Sequence, residues 1–187
     1  MIEFFNNLFE CASRRRIFFS TLMAIGFFFF AIPGPKAMVS GLPVIILGEA
    51  IRVWASGHIE KNVILTAVGP YSLSRNPLYV GNFFLGAGFM VAAGSFWLFL
   101  VYLVLFRGLY SRTIRNEEEF LSGKFPEEWE EYASCVPRYI SLTGMSNYKH
   151  GIFRWHLVVQ HRELNNWFGI GIAYLLLVGK MYYLSGV

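Results

Sequence analysis

Charged, aromatic and helix-breaking residues are concentrated between residues 69 and 81, which read Gly-Pro-Tyr-Ser-Leu-Ser-Arg-Asn-Pro-Leu-Tyr-Val-Gly. Gly-Pro and Asn-Pro interrupt helices, and Pro77 suits the first turn of a new helix, with Asn76 at its cap position. The free N–H groups of such a helix start, beside the guanidinium of Arg75, can bind an anion such as a carboxylate. The alternative is an ordinary turn followed by a basic anchor at a membrane surface.

Two adjacent carboxylates, Glu117 and Glu118, supply charge of the opposite sign. A ligand that carries both a carboxylate and a cationic group would be matched by Arg75 on one side and Glu117 on the other. Tyr71 and Tyr79 could stack on an adenine or face a sulfonium. These residues permit S-adenosylmethionine as the ligand without selecting it over other zwitterions.

Other reactive residue types form weaker patterns. Glu49 and Arg52 are three residues apart, so they share a helix face and can pair, either as a functional site or as a structural ion pair. The four histidines lack a metal-ligand spacing, and we predict no metal site. The two cysteines, Cys11 and Cys135, are far apart and are expected to stay unpaired.

Composition indicates which elements must position these residues. The chain has 187 residues, of which 55% are hydrophobic and only 15% charged, and its charge-free runs are long enough to cross a bilayer. We therefore predict a single all-α integral membrane domain, residues 1–187, with about five transmembrane helices. These are expected at residues 17–32, 37–55, 78–94, 95–110 and 167–184.

The distribution of Lys and Arg predicts the orientation. Arg14 to Arg16 and most other basic residues fall in the amino-terminal segment, in 56–77 or in 111–166, whereas Lys36 and Lys180 fall on the opposite side. The positive-inside rule then places the N-terminus and both polar segments in the cytosol. Because the basic residues flank apolar runs, the net charge of +4 indicates contact with membrane lipids and not with nucleic acid.

Three local features complete the predicted architecture. The run Ala93-Gly94-Ser95 predicts a tight turn that joins the third and fourth helices into a hairpin. The fourth helix is expected to continue into water through Tyr110 and Arg115. Apolar residues recur at three- and four-residue spacing through 117–135, which predicts an amphipathic helix interrupted between Gly123 and Pro126.

Taken together, the motifs resemble those of the isoprenylcysteine carboxyl methyltransferase and phospholipid methyltransferase group of membrane enzymes, in its bacterial branch. The resemblance covers roughly residues 45–140 and rests on order and spacing. The matching residues are Gly69-Pro70-Tyr71, Arg75-Asn76-Pro77-Leu78-Tyr79-Val80-Gly81, Glu117-Glu118 and Tyr132-Ala133-Ser134-Cys135-Val136-Pro137. Upstream, residues 48–55 also resemble that branch.

The resemblance implies a methyltransferase that uses S-adenosylmethionine and takes a lipid-like or prenylated acceptor from the bilayer. Its bacterial branch implies a location in a bacterial inner membrane. By analogy the cofactor is held by Tyr71, Asn76, Pro77, Leu78, Tyr79, Glu117 and Glu118. A strand-like run, Val63, Ile64, Leu65 and Thr66, would add backbone contacts. Arg75 and Asn76 would serve the chemistry, and Arg112 would hold an anion of the acceptor.

Asn76 departs from the family pattern, which has His at this position. An asparagine can form hydrogen bonds but cannot exchange a proton near neutral pH, so an acceptor that arrives ionised, such as a carboxylate, is favoured. Two other functions stay open: a non-catalytic membrane scaffold or lipid-binding protein, and a membrane reductase that uses NADPH. The sequence does not predict the oligomeric state.

Overall fold

The computed structural model describes residues 25–61, 63–139 and 149–186. Within these ranges the chain forms helices joined by turns and irregular backbone. The helices are α1 (Pro35–Ser56), α2 (Pro77–Ala92), α3 (Phe96–Lys124), α4 (Pro126–Cys135), α5 (Trp155–Gln160) and α6 (Glu163–Ser185). The first predicted membrane segment lies partly outside the described residues, and its described part is helical from residue 25 to residue 30.

Three of the described helices, α1, α3 and α6, are long and apolar enough to cross a membrane, and α2 is a shorter apolar helix. The predicted all-α integral membrane architecture is therefore confirmed. The predicted ends of α1 and α2 agree within two residues. The predicted fourth span, 95–110, is the first part of the much longer α3, whose 29 residues extend about 44 Å at 1.5 Å per residue.

Helices α1 and α2 pack backbone against backbone. A Cβ atom on Gly81 would lie 2.8 Å from the carbonyl oxygen of Gly48, and one on Gly88 would lie 2.6 Å from the backbone nitrogen of Ile45. Small residues let membrane helices approach this closely. The pair therefore acts as a rigid base for the irregular segment between them.

A tight turn reverses the chain after α2, as the sequence predicts. Gly94 has φ of +70°, a left-handed conformation that favours glycine, and the N–H of Ile32 donates to the carbonyl of Ala93 at 2.8 Å. Helix α3 then runs back past the start of α2. It ends at Lys124, and α4 starts at Pro126, which is the predicted interruption of the amphipathic segment.

Helix α6 is attached both by polar contacts and by apolar packing of Leu177 in the core. The Tyr174 hydroxyl donates to the carbonyl of Met38 at 3.1 Å, and Lys180 Nζ donates to the carbonyl of Phe28 at 2.5 Å. At the other end of the helix, Glu163 binds Arg52. Along most of its length α6 exposes apolar side chains, as expected of a helix that faces lipid.

We call the end of the bundle where α1 ends and α2 begins the site end. The irregular segment 57–76, the later turns of α3, α4, and residues 149–154 all meet there. Most sequence-predicted site residues lie in these elements.

Candidate functional site

A buried turn leads into the site. Residues Gly69–Ser72 form a single 3-10 turn, in which Gly69 has φ of +60° and the Ser72 hydroxyl donates to the Gly69 carbonyl at 2.7 Å. A Cβ on Gly69 would meet the ring of His58, so only glycine fits both the backbone and the space. The chain then runs to Asn76, which occupies the N-cap position of α2 as the sequence predicts.

The side chain of Asn76 does not cap the helix; it points to α3. Its Nδ2 donates to Glu118 Oε1 at 2.9 Å and to the carbonyl oxygen of Arg138 at 3.2 Å. Both amide hydrogens are thus used, and the direction of these bonds leaves Oδ1 as the group that can accept a further hydrogen bond. The sequence did not predict this orientation.

Glu118 lies at the centre of a charge cluster and is only 7% exposed. Arg138 Nε donates to its Oε2 at 2.9 Å, and Arg75 Nε lies 3.6 Å from its Oε1. The hydrogen bonds that Arg138 donates to Glu118 raise the pKa of its guanidinium above its ordinary value. The side chains of two arginines and the amide of Asn76 therefore all contact this carboxylate.

Glu117 is exposed and has a different partner. The hydroxyl of Tyr79 donates to its Oε1 at 2.6 Å, which links the first turn of α2 to α3. The Tyr79 ring makes an edge contact with Tyr110, and Tyr110 stacks on Phe106 with ring centroids 4.3 Å apart. A carboxylate beside a row of aromatic rings is suited to bind a cation.

Tyr71 is part of the 69–72 turn and is buried beside α4. Its carbonyl accepts a hydrogen bond of 2.8 Å from the Tyr132 hydroxyl, whereas its own hydroxyl is buried without a hydrogen-bond partner. Burial raises the pKa of the Tyr71 hydroxyl well above its ordinary value, so this group stays neutral. An unpartnered buried hydroxyl is a candidate contact for a bound molecule.

A cleft of about 410 Å³ opens beside the same turn. Its lining residues are His58, Ile64, Leu65, Thr66, Ala67, Val68, Ile152 and Arg154. The hydroxyl of Thr66 is buried without a hydrogen-bond partner. The expectation of a strand-like run at 63–66 is wrong: these residues are turn and irregular backbone, since no neighbouring strand in the described ranges pairs with them.

The predicted site residues divide into three groups. Asn76, Glu118 and Arg75 meet in the charge cluster, Tyr79 and Glu117 form a second pair, and Pro77 and Leu78 lie in the first turn of α2 beside them. Ile64, Leu65 and Thr66 line the cleft, and Val63 is exposed nearby. Arg112 is exposed on α3 and has no part in the charge cluster.

Sequence reasoning missed Arg138. It directly follows the Val136-Pro137 motif, and its carbonyl and guanidinium both enter the charge cluster. A basic residue directly after that motif was a usable signal, because Pro137, two residues beyond the end of α4, lies close to Arg75, whose N–H donates to the Pro137 carbonyl at 2.9 Å.

Glu49 and Arg52 do pair, with 3.7 Å between Glu49 Oε2 and Arg52 Nε, but they belong to a larger network. Arg52 Nη2 donates to both oxygens of Glu163, at 2.9 and 2.8 Å, and Nη1 donates to Asn82. Asn166 and Trp167 each donate to Glu49 at 2.7 Å. The network ties α6 to α1 and α2. Because Glu163 is 111 residues away, sequence spacing could not reveal it.

Among the described residues no group of three or more His, Cys, Asp or Glu side chains could hold a metal ion, and Cys135 is an exposed free thiol. The site can therefore offer cations, carboxylates, amides and aromatic rings. With these groups it can bind and orient a zwitterion.

Comparison with known proteins shows which family the central part of the chain resembles. Residues 36–128 match the family model described as phospholipid methyltransferase, which confirms the resemblance predicted from the motifs. No solved structure matches this chain significantly.

Three curated relatives align with about half of this chain. The cobalt-zinc-cadmium resistance protein CzcN of Cupriavidus metallidurans is 37% identical over 109 residues, which make up 56% of this chain and 49% of that protein. The nickel-cobalt-cadmium resistance protein NccN of Alcaligenes xylosoxydans xylosoxydans is 33% identical over 101 residues, 53% and 47% of the two chains. The protein-S-isoprenylcysteine O-methyltransferase of Schizosaccharomyces pombe is 32% identical over 95 residues, 51% and 40%. The chain thus spans half or less of these relatives.

Proposed function

Since residues 36–128 match the phospholipid methyltransferase family, we propose that this chain is a membrane methyltransferase that uses S-adenosylmethionine and acts on a lipid-like acceptor. One observation carries the proposal: Tyr79 and Glu117 meet at the site end, on the first turn of α2 and the last turns of α3. Two helices that are distant in sequence thus present an aromatic ring and a carboxylate together.

The residues present fit the cofactor. Glu117 is exposed and is not paired with the arginines of the charge cluster, so its carboxylate would hold the ammonium group of the cofactor. The Tyr79 hydroxyl would fix the orientation of that carboxylate. The cleft has the size of a small-molecule site, and the unpartnered hydroxyl of Thr66 in the cleft and that of Tyr71 in the adjoining turn would supply hydrogen bonds. When bound, the cofactor would supply an activated methyl group: the bond from the methyl carbon to the acceptor would form as its bond to sulfur breaks, and S-adenosylhomocysteine would leave as a neutral thioether.

We assign Arg75 to the support of Glu118, because its Nε lies 3.6 Å from that carboxylate. Arg138 and Arg75 together hold Glu118, and Glu118 in turn orients the Asn76 amide. Asn76 offers only a carbonyl oxygen to a ligand and cannot take up a proton. The geometry therefore favours an acceptor that is already ionised, such as the carboxylate of a prenylcysteine-like molecule, whose reaction needs alignment and not a base.

We assign Arg112 to the acceptor: it is exposed on α3, five residues before Glu117, and would attract the anion of the acceptor at the membrane surface. The Lys and Arg distribution supports a cytosolic site end, where the cofactor is available.

The test combines binding with product analysis. The purified chain in detergent micelles is titrated with S-adenosylhomocysteine by calorimetry, and is then incubated with methyl-labelled S-adenosylmethionine and a mixture of membrane lipids and prenylated peptides. We expect saturable binding and a labelled product. Because alkali hydrolyses a carboxyl methyl ester, treatment of this product with alkali should release labelled methanol. Absence of binding would refute the proposal.

Two other outcomes identify the alternatives. Cofactor binding without label transfer to any acceptor would support a non-catalytic lipid-binding protein, for which the substitution of Asn76 for the family histidine is the motivating observation. Binding of NADPH in a fluorescence titration, with no binding of S-adenosylhomocysteine, would support a membrane reductase.

A further inference from the structure

Residues 149–154, which we call the strap, lie across the segment that connects α1 to α2. The N–H of Gly69 donates to the Lys149 carbonyl at 2.8 Å, and the N–H of Lys149 donates to the Ser72 hydroxyl at 3.1 Å. At the other end of the strap, the N–H of Arg154 donates to the Gly57 carbonyl at 2.8 Å. Hydrogen bonds thus fix the strap at both ends.

The strap also packs tightly between those bonds. A Cβ on Gly151 would lie 2.8 Å from the His58 ring and 2.8 Å from Val68, and the ring of Phe153 makes an edge contact with His58 at 5.9 Å between centroids. Arg154 forms an ion pair with Glu60. Glycine at position 151 therefore allows the strap to lie directly on the connecting segment.

The cleft lies between these two parts of the chain. Residues 64–68 and His58 line one wall, and Ile152 and Arg154 of the strap complete it. Within the cleft, Thr66 is only 8% exposed and its hydroxyl has no hydrogen-bond partner, and Arg154 Nε is likewise buried and unpartnered. Buried polar atoms of this kind are normally satisfied, so a water molecule or a ligand must supply the missing partner.

The chemistry of the cleft indicates which part of a ligand enters it. Its walls are mostly apolar, with one imidazole, one hydroxyl and one guanidinium, which suits a flat heteroaromatic ring with polar edges. A guanidinium stacks on such a ring, and Arg154 can do so while it is ion-paired with Glu60. The ammonium group would lie at Glu117, the carboxylate to which the proposed function assigns it.

We infer that the strap is part of the cofactor site, and that Thr66 and Arg154 bind the adenosine portion of S-adenosylmethionine. The inference rests on the proposed function. It extends the site to residues 149–154, which lie outside the segment that matches the family model, residues 36–128. This chain thus completes its cofactor cleft with sequence from beyond the family segment.

The test measures binding of S-adenosylhomocysteine to the full chain by calorimetry. Thr66→Val removes the hydroxyl and keeps the shape, and Arg154→Gln removes the guanidinium. We expect each to weaken binding about tenfold, the effect of losing one net hydrogen bond. Lys149→Gln is the matched control: it removes a cation from the same strap, and its exposed side chain does not line the cleft, so affinity should stay within about twofold.

Each result has a distinct meaning. Unchanged affinity in both Thr66→Val and Arg154→Gln, with wild-type binding intact, would overturn the strap inference and leave the proposed function standing. Equal weakening by Lys149→Gln would also overturn it, because the effect would then be one of general charge. Failure of the wild-type chain to bind would refute both proposals. Circular dichroism of every variant, compared with the wild type, verifies that the helices are retained.

Discussion

The hydroxyl of Tyr79 donates a 2.6 Å hydrogen bond to Glu117 across two helices and 38 residues of sequence. This pair connects the first turn of α2 with the part of α3 that extends beyond its apolar run. Removing either group should disturb the other, because the tyrosine orients the carboxylate and the carboxylate holds the ring.

Tyr79→Ala and Glu117→Ala should each weaken S-adenosylhomocysteine binding at least tenfold. The expected loss is about 1.5–3 kcal/mol, the usual value of a hydrogen bond to a charged group. Tyr79→Phe keeps the contact with Tyr110 and removes only the hydroxyl, so it should have the smaller effect. Calorimetric affinities that match the wild type in both alanine variants would remove this pair from the site.

Asn76→His introduces the residue that the family usually has. If the acceptor arrives ionised, the variant should transfer methyl groups at a rate similar to that of the wild type. An acceptor that needs a base would instead gain on the order of a hundredfold, the lower range of general base catalysis. Single-turnover label transfer, normalised to cofactor affinity, distinguishes the two, and the larger gain would contradict a carboxylate acceptor.

Glu118→Leu should destabilise the protein by about 3–5 kcal/mol, because it leaves Arg75 without its carboxylate and removes one of the two acceptors of the Asn76 amide. Arg138→Gln should cost much less, since the Arg138 side chain is 45% exposed and water can replace its contact. Thermal unfolding in detergent, followed by tryptophan fluorescence, compares the two. A larger loss for Arg138→Gln would contradict the central position of Glu118.

Gly81→Ala should destabilise the α1–α2 contact by about 1–3 kcal/mol. The added methyl would lie 2.6 Å from Arg52 Cγ and 2.8 Å from the Gly48 carbonyl, and the backbone cannot yield. Gly108→Ala in α3 is the matched control, because nothing lies within 4 Å of its added atom. That variant should be neutral or slightly stabilising, as alanine favours helices. Equal melting temperatures would show that the helices are not in close contact.

Arg52→Gln should destabilise the chain strongly, because it leaves the carboxylates of Glu49 and Glu163 without a counter-charge. The double variant Arg52→Gln with Glu163→Gln should recover part of the loss. A double-mutant cycle on unfolding free energies would measure a coupling of about 0.5–3 kcal/mol. Strictly additive effects would show that the ion pair does not hold α6.

Local chemistry made much of the fold predictable. Apolar runs and their breaking residues marked α1 and α2 within two residues of their ends, and Gly94 marked the hairpin. Helix α3 was predicted to continue beyond the apolar run, and an amphipathic helix was predicted from residue 117 to an interruption at Gly123–Pro126. The sequence did not indicate that the two form one continuous helix that ends at Lys124. The strand-like appearance of residues 63–66 was misleading, because β-branched residues form a strand only where a partner strand exists.

The site was predictable only in part, for a physical reason. Tyr79, Glu117, Asn76 and Glu118 belong to contiguous motifs and could be named from sequence. The ion pair of Arg52 with Glu163 and the contact of the strap with the 69–72 turn join residues that are about 80 to 111 apart. Nothing in local spacing encodes such contacts, since they depend on how the last helix packs on the first ones.

The Arg52 network has a consequence for how the chain is made. Glu163 emerges from the ribosome roughly 6–22 s after Arg52, at about 5–20 residues per second over their separation. During this interval α1 must enter the bilayer without its later partner. Glu49, on the same helix face, can neutralise Arg52 as soon as the helix forms. We therefore expect Glu49→Gln to impair membrane insertion of nascent α1, which a glycosylation-mapping assay on truncated chains would detect.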